Sequence, residues 1–325
     1  LEHLATKLAY LIASTTTLRT IPHMAPCNTN QGPYLLSSML PSSEDTYFED
    51  TAFCAYGNVS LPTPAHVRRA AGAKATGNRP TPVVFSALNL IVKYGPTITV
   101  TEGQCLWALR HLLPSVPVLE VYGWCREKGE TFIYMQLVEG ITLEQAWLNF
   151  DIEEKYEICQ QLQRILEDLR QLKQDPSSPF IGDINQEPLH DVMFQTSQPA
   201  GPFTNVVVFN DWLATLKSCA PPGLNVDPGP WRSGLLDDIP LVFTHADLHR
   251  SNIMVSQDAD GIPRITAVID WHQSGWYPAS WEFYKTRLTC KLPANDQWEL
   301  EFILEFLQAY RGYIAWEYFL QGVGL

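Results

Sequence analysis

The chain contains 325 residues, 46% of them hydrophobic and 18% charged, with 35 acidic side chains against 22 Lys and Arg and a formal net charge of −13. This length and apolar content exclude a disordered chain and predict one or two domains, or one bilobed unit, with a sizeable core. An acidic chain without a run of Lys or Arg repels phosphate backbones, so we expect no nucleic-acid partner.

The cysteines and apolar runs give a prediction of the cellular environment. Seven cysteines are scattered without a C-x-x-C pair, which favours reduced thiols over disulfides or a zinc site. The longest apolar runs, such as Leu88–Val92, are too short to cross a bilayer, so we expect no membrane partner. These features predict a soluble cytoplasmic protein, and they leave its oligomeric state open.

Residues 1–80 carry few regular patterns, and we assign them to an N-terminal extension of undefined structure. Leu4–Ile12 has the spacing of an amphipathic helix. Pro22–Ser60 is rich in Ser, Thr, Pro and Asn, as in a surface extension. Pro64–Ala73 has helical periodicity, and Gly and Pro residues follow it.

Residues 81–137 predict a small lobe that contains both strands and a helix. Short apolar runs at Val83–Phe85 and Leu88–Tyr94 predict a hairpin. Thr101–Leu113 has helical spacing, and two more strands are predicted at Val118–Trp124 and Thr131–Leu137. The predicted order is therefore strand, strand, helix, strand, strand, completed by part of the extension.

Residues 138–325 predict a larger, mostly helical lobe. Apolar residues recur with a 3.6-residue period over Asp151–Lys173, which indicates a helix packed on a core. Further helices are predicted after Thr142 through Trp147, near Phe209–Ser218 and over Trp298–Phe319.

The segment Phe243–Val255 carries the residues with the clearest chemistry. It contains His245-x-Asp247 and, five residues after the aspartate, Asn252, followed at once by a short strand. A turn and a second strand, Ile265–Ile269, then end in Asp270. If the two strands pair as a hairpin, residues 252 and 270 lie side by side at its open end.

This arrangement places a potential base and two metal ligands around one point. Asn252 and Asp270 offer the hard oxygen ligands that suit Mg²⁺ with bound phosphates. Asp247 lies in the preceding loop, within reach of the same centre, and His245 is placed to orient the loop. Phosphoryl transfer needs such a set, since it requires positioning, a proton acceptor and neutralisation of phosphate charge.

The small lobe supplies the groups that would bind a nucleotide. Lys93 ends the strand Leu90-Ile-Val-Lys, where its side chain could reach the α- and β-phosphates of ATP. Glu102, in the first turn of the next helix, could pair with Lys93. Met135–Glu139 lies where a connector between lobes would bind adenine through its backbone, and we select Met135 and Leu137 as contacts.

Taken together, these motifs resemble a known family. His-x-Asp-x-x-x-x-Asn followed by strand, turn, strand and Asp resembles the catalytic segment of the aminoglycoside phosphotransferase and choline kinase families, relatives of the eukaryotic protein kinases. The stretches Ile269–Glu282 and Phe203–Trp212 resemble the version found in fungal aminoglycoside-phosphotransferase-like proteins. The resemblance extends roughly from Val83 to Tyr313 and implies an α+β, bilobed protein-kinase-like fold with a β-rich N-lobe and a helical C-lobe.

The resemblance also implies a role for each residue of the site. Asp247 would be the catalytic base, and Asn252 and Asp270 would be the Mg²⁺ ligands. Lys93 would bind phosphate with Glu102 as its ion-pair partner, and His245 would brace the catalytic loop. The implied reaction is ATP- and Mg²⁺-dependent phosphorylation of a hydroxyl on a small-molecule metabolite.

Three positions depart from the family pattern. Ala246 stands where Gly is usual, and its small side chain is expected to be tolerated. His272 stands where many fungal relatives carry Glu, which leaves the substrate class open. Phe85-Ser-Ala-Leu-Asn89 replaces a glycine-rich phosphate loop, an absence that argues only against a protein kinase.

The acceptor site is the least defined part of the sequence. Aromatic residues and Glu282 follow Asp270, and they could form either core or the wall of an acceptor pocket. We select four residues as substrate contacts: His249, His272, Trp276 and Glu282.

Two alternatives remain open. The first is a kinase-like domain that no longer phosphorylates and serves as a binding scaffold or a repurposed enzyme of fungal secondary metabolism. The intact set of Lys93, Asp247, Asn252 and Asp270 argues against it. The second is a protein kinase, for which the chain lacks an Ala-Pro-Glu or Asp-Phe-Gly segment.

Overall fold

Five strands in the first half of the chain form one antiparallel sheet. The computed structural model describes residues 32–55, 60–72, 82–194, 199–216, 229–290 and 298–320. Within these ranges the strands lie in the order β1-β4-β5-β3-β2. Their bounds are Thr46–Tyr47 (β1), Val83–Phe85 (β2), Leu90–Gly95 (β3), Val121–Glu127 (β4) and Glu130–Gln136 (β5). The predicted hairpin is confirmed as β2 and β3, with Val83 opposite Val92.

The sheet buries both of its faces. Three helices accompany it: α1 (Ala52–Ala55), α2 (Pro64–Ala71) and α3 (Val100–Leu112). On one face, Leu90 and Val92 join a core with Phe53 of α1 and Val67 of α2. The other face belongs to the main core, which includes apolar side chains of α3. The predicted order of strand, strand, helix, strand, strand is confirmed. Three elements of the predicted extension, β1, α1 and α2, widen and cover the sheet.

A glycine allows α3 to lie close to the sheet. A Cβ atom at Gly103 would lie 2.8 Å from Cε3 of the buried Trp124. Alanine within a helix is ordinarily about 1 kcal/mol more favourable than glycine. Here we expect Gly103→Ala to lower the free energy of unfolding by about 1 kcal/mol net, because overpacking a buried contact costs about 1–3 kcal/mol and outweighs that gain. Urea unfolding of the variant checks this, and unchanged or greater stability would contradict it.

The second half of the chain is mainly helical. Asp151 and Glu154 form a reciprocal capping box at the start of the longest helix, which ends at Leu169 instead of the predicted Lys173. The helix predicted at Phe209 begins earlier because the side chain of Asn205 caps its first turn. The helices are α4 (Leu143–Ala146), α5 (Ile152–Leu169), α6 (Val206–Thr215), α7 (Trp281–Thr289), α8 (Ile303–Phe306) and α9 (Tyr313–Leu320).

The prediction of one long helix over Trp298–Phe319 is wrong. A π-helical turn, Trp298–Phe302, leads into α8, and the chain is extended at Leu307 with φ −120° and ψ 134°. Gly312 then adopts φ +96°, a conformation that favours glycine. A Cβ atom there would lie 2.6 Å from the carbonyl oxygen of Gly234. The break therefore lets the backbone pack directly on a distant loop, which a continuous helix could not do.

Two small antiparallel sheets frame the segment that carries the candidate site. The first contains β6 (Ile141–Thr142), β8 (Ile253–Gln257) and β9 (Pro263–Val268), and the second contains β7 (Leu241–Thr244) and β10 (Gly275–Pro278). The predicted hairpin is confirmed as β8 and β9, with Ile253 opposite Val268. At its open end, Ile269 donates its N–H to the carbonyl of Asn252 at 2.9 Å.

All of these elements belong to one compact unit, Pro33–Leu325. The antiparallel N-terminal sheet followed by helices confirms the predicted α+β architecture. No helix in the described ranges is long and apolar enough to span a membrane. The predicted helix at Leu4–Ile12 lies outside the described residues.

Candidate active site

A largely buried ion pair joins the sheet to α3. Lys93 neighbours Val92 on β3, and strand alternation turns its side chain away from the core that holds Val92 and towards α3. Its Nζ lies 2.8 Å from Oε2 of Glu102, and the two side chains are 13% and 3% exposed. Burial lowers the pKa of Lys93, but the charges of Glu102 and Asp270 raise it by more, so the net shift is upward. The ammonium group therefore stays charged, and the pairing predicted from the sequence is present.

The loop between β7 and β8 brings Asp247 and Asn252 together. The side-chain amide of Asn252 donates to the carbonyl oxygen of Asp247 at 2.9 Å and to its Oδ2 at 3.1 Å. Burial raises the pKa of Asp247, while His249, whose Nε2 lies 3.6 Å from Oδ1, and the charge of Lys285 lower it, with a net lowering. Asp247 is therefore ionised at neutral pH and can accept a proton or a hydrogen bond.

His245 stabilises the loop through both nitrogens of its ring. Its Nδ1 accepts the N–H of Asp247 at 3.1 Å, so Nε2 carries the proton and donates to the carbonyl of Ile269 at 2.9 Å. Burial lowers the pKa of His245 to about 4. A neutral ring thus connects the backbone beside Asp247 to the backbone beside Asp270.

Helix α7 holds the same loop from the opposite side. Oε2 of Glu282 accepts the N–H groups of His245 and Ala246 at 2.8 and 3.3 Å. One turn later, the hydroxyl of Thr286 donates to the carbonyl of Leu248 at 3.2 Å. Ala246 adopts φ +63°, a conformation that favours glycine, so these contacts hold a strained backbone in place. Thr286 was not predicted from the sequence, although its spacing of four from Glu282 places both on one helix face.

Glu282 therefore differs from its predicted place as a substrate contact. It is buried beneath the loop, and its Oε1 has no hydrogen-bond partner among the described residues. Burial raises the pKa of Glu282 to about 7, against the lowering effect of the two backbone N–H groups. Its surroundings make it a support for the loop and give it no surface to offer an acceptor.

Asp270 lies where the two halves of the site meet. It follows β9 in the left-handed conformation, with φ +66° and ψ +57°. Its Oδ1 lies 2.5 Å from Nζ of Lys93 and 3.0 Å from Nδ1 of His272. Burial raises the pKa of Asp270, but the hydrogen bond from His272 and the charge of Lys93 outweigh it, and the pKa is lowered. The carboxylate is thus held ionised between the N-terminal sheet and the catalytic loop.

The oxygen atoms that remain at the site fit a hard cation. Both hydrogen bonds of Asn252 to Asp247 use its Nδ2, and those of Asp270 to Lys93 and His272 use Oδ1. Oδ1 of Asn252 and Oδ2 of Asp270 receive no hydrogen bond within the described ranges. Carboxylate and amide oxygens are ligands of Mg²⁺, which completes its shell with water and phosphate. No group of three His, Cys, Asp or Glu side chains among these residues could hold a metal alone.

Two of the predicted substrate contacts lie beside this centre. His249 is 32% exposed, and its Nε2 lies 3.6 Å from Oδ1 of Asp247. His272 is also 32% exposed and contacts Asp270. Burial lowers the pKa of His272, but its hydrogen bond to Asp270 raises the pKa by more than burial lowers it.

Trp276, which the sequence offered either as core or as the wall of an acceptor pocket, packs in the core. It is buried on β10, and its ring centroid lies 5.2 Å from that of Phe243. Its backbone N–H donates to the carbonyl of Gly182 at 2.8 Å. Trp276 also lines a cavity of about 230 Å³ together with Leu35 and Phe180. Its main role in the structure is therefore in the core.

The predicted adenine contacts lie at the end of β5. Met135 is buried within the strand. Leu137 already donates its N–H to the carbonyl of Asn89 at 3.0 Å, so that group is not free to bind a base in this structure. The sequence did not indicate this contact, because Asn89 lies in the turn between β2 and β3, where it adopts φ +48°.

The site contains a strand lysine paired with a helix glutamate, and this pair faces an Asp and an Asn of one loop and an Asp at the end of a hairpin. This is the arrangement of a kinase-like phosphotransferase. The model of the phosphotransferase enzyme family APH matches residues 101–319. That match covers more than half of the chain, and the chain therefore belongs to this family. Glu102, Asp247, Asn252 and Asp270 all lie within the matched region, and Lys93 lies just before it.

One individual protein matches a short part of the chain. A probable serine/threonine-protein kinase, fnkB of Dictyostelium discoideum, is 37% identical over 95 residues. This match covers 29% of the present chain and only 16% of the kinase.

Two solved structures of aminoglycoside phosphotransferases show some likeness to this chain. The streptomycin–ATP ternary complex of APH(2″)-IIa is 14% identical, with a TM-score of 0.46, over 75% of this chain and 79% of that one. A thermostable mutant of APH(4)-Ia with ADP and hygromycin B is 16% identical, with a TM-score of 0.38, over 60% of this chain and 62% of that one. Both likenesses are weak.

Proposed function

We propose that this phosphotransferase transfers the γ-phosphoryl group of ATP, with Mg²⁺, to a hydroxyl group of a small-molecule metabolite. The contact between Lys93 and Asp270 carries the proposal, because it brings the cation of the sheet to the carboxylate beside the Asp247 loop. The nucleotide would lie between residues 81–137, with part of the preceding extension, and the helical lobe of residues 138–325. Met135 and the connector after it would border the base.

Each residue has a role that follows from its surroundings. Lys93 would bind the α- and β-phosphates, with Glu102 holding its ammonium group in place. Asn252 and Asp270 would hold Mg²⁺ through their remaining oxygens, and the ion, when bound, neutralises charge on the phosphate oxygens. His245 and Glu282 fix the loop and do not touch the reacting atoms.

Asp247 would act on the acceptor. Its carboxylate orients the acceptor hydroxyl and takes the proton as the new O–P bond forms and the bond between the γ-phosphorus and the bridging oxygen of ADP breaks. The low pKa of Asp247 makes it a weak base, so positioning would contribute more than proton removal early in the reaction. The products are a phosphate monoester, ADP and a proton.

The groups exposed near Asp247 support a small-molecule acceptor. His249 and His272 are partly exposed there and could contact a small hydroxylated molecule. Lys93 contacts Asp270, and Ile269 beside it donates its N–H to the carbonyl of Asn252, so the residues of the site remain together. This arrangement argues against a scaffold that no longer phosphorylates.

Calorimetric titration of ATP into the protein, with and without Mg²⁺, tests the nucleotide site. We expect binding that depends on Mg²⁺, and we expect Asp270→Ala to lose that dependence because it removes a ligand oxygen. Asp260→Ala is the matched control, since Asp260 is exposed in the turn at the far end of the same hairpin. A folded wild-type protein that binds neither Mg²⁺·ATP nor Mg²⁺·GTP would contradict the proposal.

An acceptor screen then tests the substrate class. ATP consumption is measured with a panel of hydroxylated amines, sugars, amino acids and other metabolites, beside a protein substrate. Turnover with a small molecule supports the proposal, and phosphorylation of protein alone would replace it with a protein kinase.

A further inference from the structure

A lysine is buried in the helix that supports the catalytic loop. Lys285 lies on α7 and is 1% exposed. Its ammonium group donates to Oδ1 of Asp191 at 2.6 Å and to Oε1 of Gln273 at 3.1 Å. Removing an ammonium group from water is costly even when it is paired, and apolar residues of similar size are often as stable. Stability alone therefore does not account for a lysine at this position.

The partners of Lys285 are held as firmly as the lysine. Oδ1 of Asp191 also accepts the N–H of Met193 at 2.9 Å, and its Oδ2 accepts the indole N–H of Trp281 at 2.9 Å. Oε1 of Gln273 accepts the N–H of Val192 at 3.0 Å. The charges of Lys285 and Asp191 cancel, and both acceptors have well-formed partners. Such a network fixes the relative positions of the segments that contribute to it.

The network connects the turn after Asp270 to the helix that holds the loop of Asp247. Gln273 closes the short 3₁₀ turn Trp271–Gln273, which begins directly after Asp270. Lys285 lies on α7 between Glu282 and Thr286, the two residues that hold the loop of Asp247. The same helix thus supports the catalytic loop and, through Lys285, the turn that follows Asp270.

We infer that Lys285, acting through Gln273 and Asp191, is a positioning residue that fixes Asp270 relative to Asp247. The inference rests on the proposed function, because it concerns the geometry of the Mg²⁺·ATP site. Lys285 touches neither substrate nor metal in this assignment. Its ammonium group is also one of the charges that lower the pKa of Asp247, after the opposing effect of burial and the larger effect of His249.

The test measures ATP affinity by calorimetry over a series of Mg²⁺ concentrations. Gln273→Met removes the acceptor of the network and leaves the Lys285–Asp191 pair intact. We expect the Mg²⁺ concentration needed for half-maximal enhancement of ATP binding to rise roughly tenfold or more, as for other residues that orient metal ligands. Saturating Mg²⁺ should restore the affinity of the wild type. Gln163→Met is the matched control, because Gln163 is exposed on α5 and, within the described residues, its side chain bonds only to Glu167.

A second variant guards against misfolding. Lys285→Met combined with Asp191→Asn removes both charges, so no unpaired ion is left buried. It should show the same increased Mg²⁺ requirement. Wild-type Mg²⁺ dependence in both variants would overturn the inference, as would an affinity loss that is equal at every Mg²⁺ concentration and follows a drop in stability. Absence of Mg²⁺·ATP binding in the wild type would instead overturn the proposed function, and the inference with it.

Discussion

Replacing Asp247 with asparagine is expected to lower the rate of phosphoryl transfer by about 10²–10⁴-fold, the contribution typical of general acid–base catalysis. Asparagine has nearly the same shape and keeps an oxygen that can accept the hydrogen bond from Asn252. It lacks the negative charge that orients the acceptor hydroxyl, and it cannot take the proton. The affinity for Mg²⁺·ATP should stay within a few-fold of wild type, because Lys93, Asn252 and Asp270 are unchanged.

The rate is measured in single turnover with an acceptor from the screen, and the affinity by calorimetry. Asp260→Asn, at an exposed position of the turn between β8 and β9, serves as the matched control and should behave as wild type. An Asp247→Asn variant with an unchanged rate would exclude Asp247 as the base. A loss of nucleotide affinity as large as the loss of rate would show that Asp247 organises the loop instead.

The parts of the site that the sequence predicted are those built from local contacts. His245, Asp247 and Asn252 lie within eight positions, and their mutual geometry is set by one loop and the hairpin that follows it. Lys93 and Glu102 are nine residues apart, on a strand and the next helix. The alternation of the strand and the first turn of the helix are enough to bring these two side chains together.

The parts that the sequence did not predict depend on contacts between distant segments. Glu282 binds the backbone of His245 from 37 residues away, and nothing in its own neighbourhood marks it as buried. The aromatic residues around it fit a pocket wall as well as a core, and only tertiary packing decides between them. The break before α9 likewise depends on Gly312 meeting the backbone of Gly234.

The surroundings of Asp270 were predicted only in part. Hairpin register placed it beside Asn252, and the structure adds two partners on one oxygen, the ammonium group of Lys93 and the ring of His272. His272 is where the chain departs from the family pattern. A histidine there gives Asp270 a hydrogen-bond donor, whereas a carboxylate would repel it.

Replacing Glu282 with glutamine is expected to make the protein lose stability more steeply as the pH falls. Burial raises the pKa of Glu282 from its ordinary 4.5 to about 7. Between these values the folded protein holds a proton that the unfolded chain lacks, so the free energy of unfolding rises as the pH falls. The full contribution is roughly 3 kcal/mol. Glutamine keeps an oxygen for the N–H groups of His245 and Ala246, but it has no proton to bind.

His245 has the opposite effect on the same range of pH. Burial lowers its pKa from 6.5 to about 4, so the unfolded chain takes up a proton first as the pH falls. This contribution to stability is present above pH 6.5 and is lost between 6.5 and about 4, again by roughly 3 kcal/mol. In the wild type Glu282 offsets this loss. In Glu282→Gln the effect of His245 is unopposed.

Urea unfolding of both proteins at about pH 8 and about pH 4.5 measures the difference. Other carboxylates titrate alike in the two proteins, so subtracting one free energy from the other isolates Glu282. We expect the variant to lose roughly 3 kcal/mol relative to wild type between these two conditions. Glu44→Gln, whose side chain is 78% exposed, is the control and should show no such change. A difference that is the same at both pH values would mean that the Glu282 carboxylate is ionised throughout, so that the two N–H groups of the loop outweigh the cost of its burial.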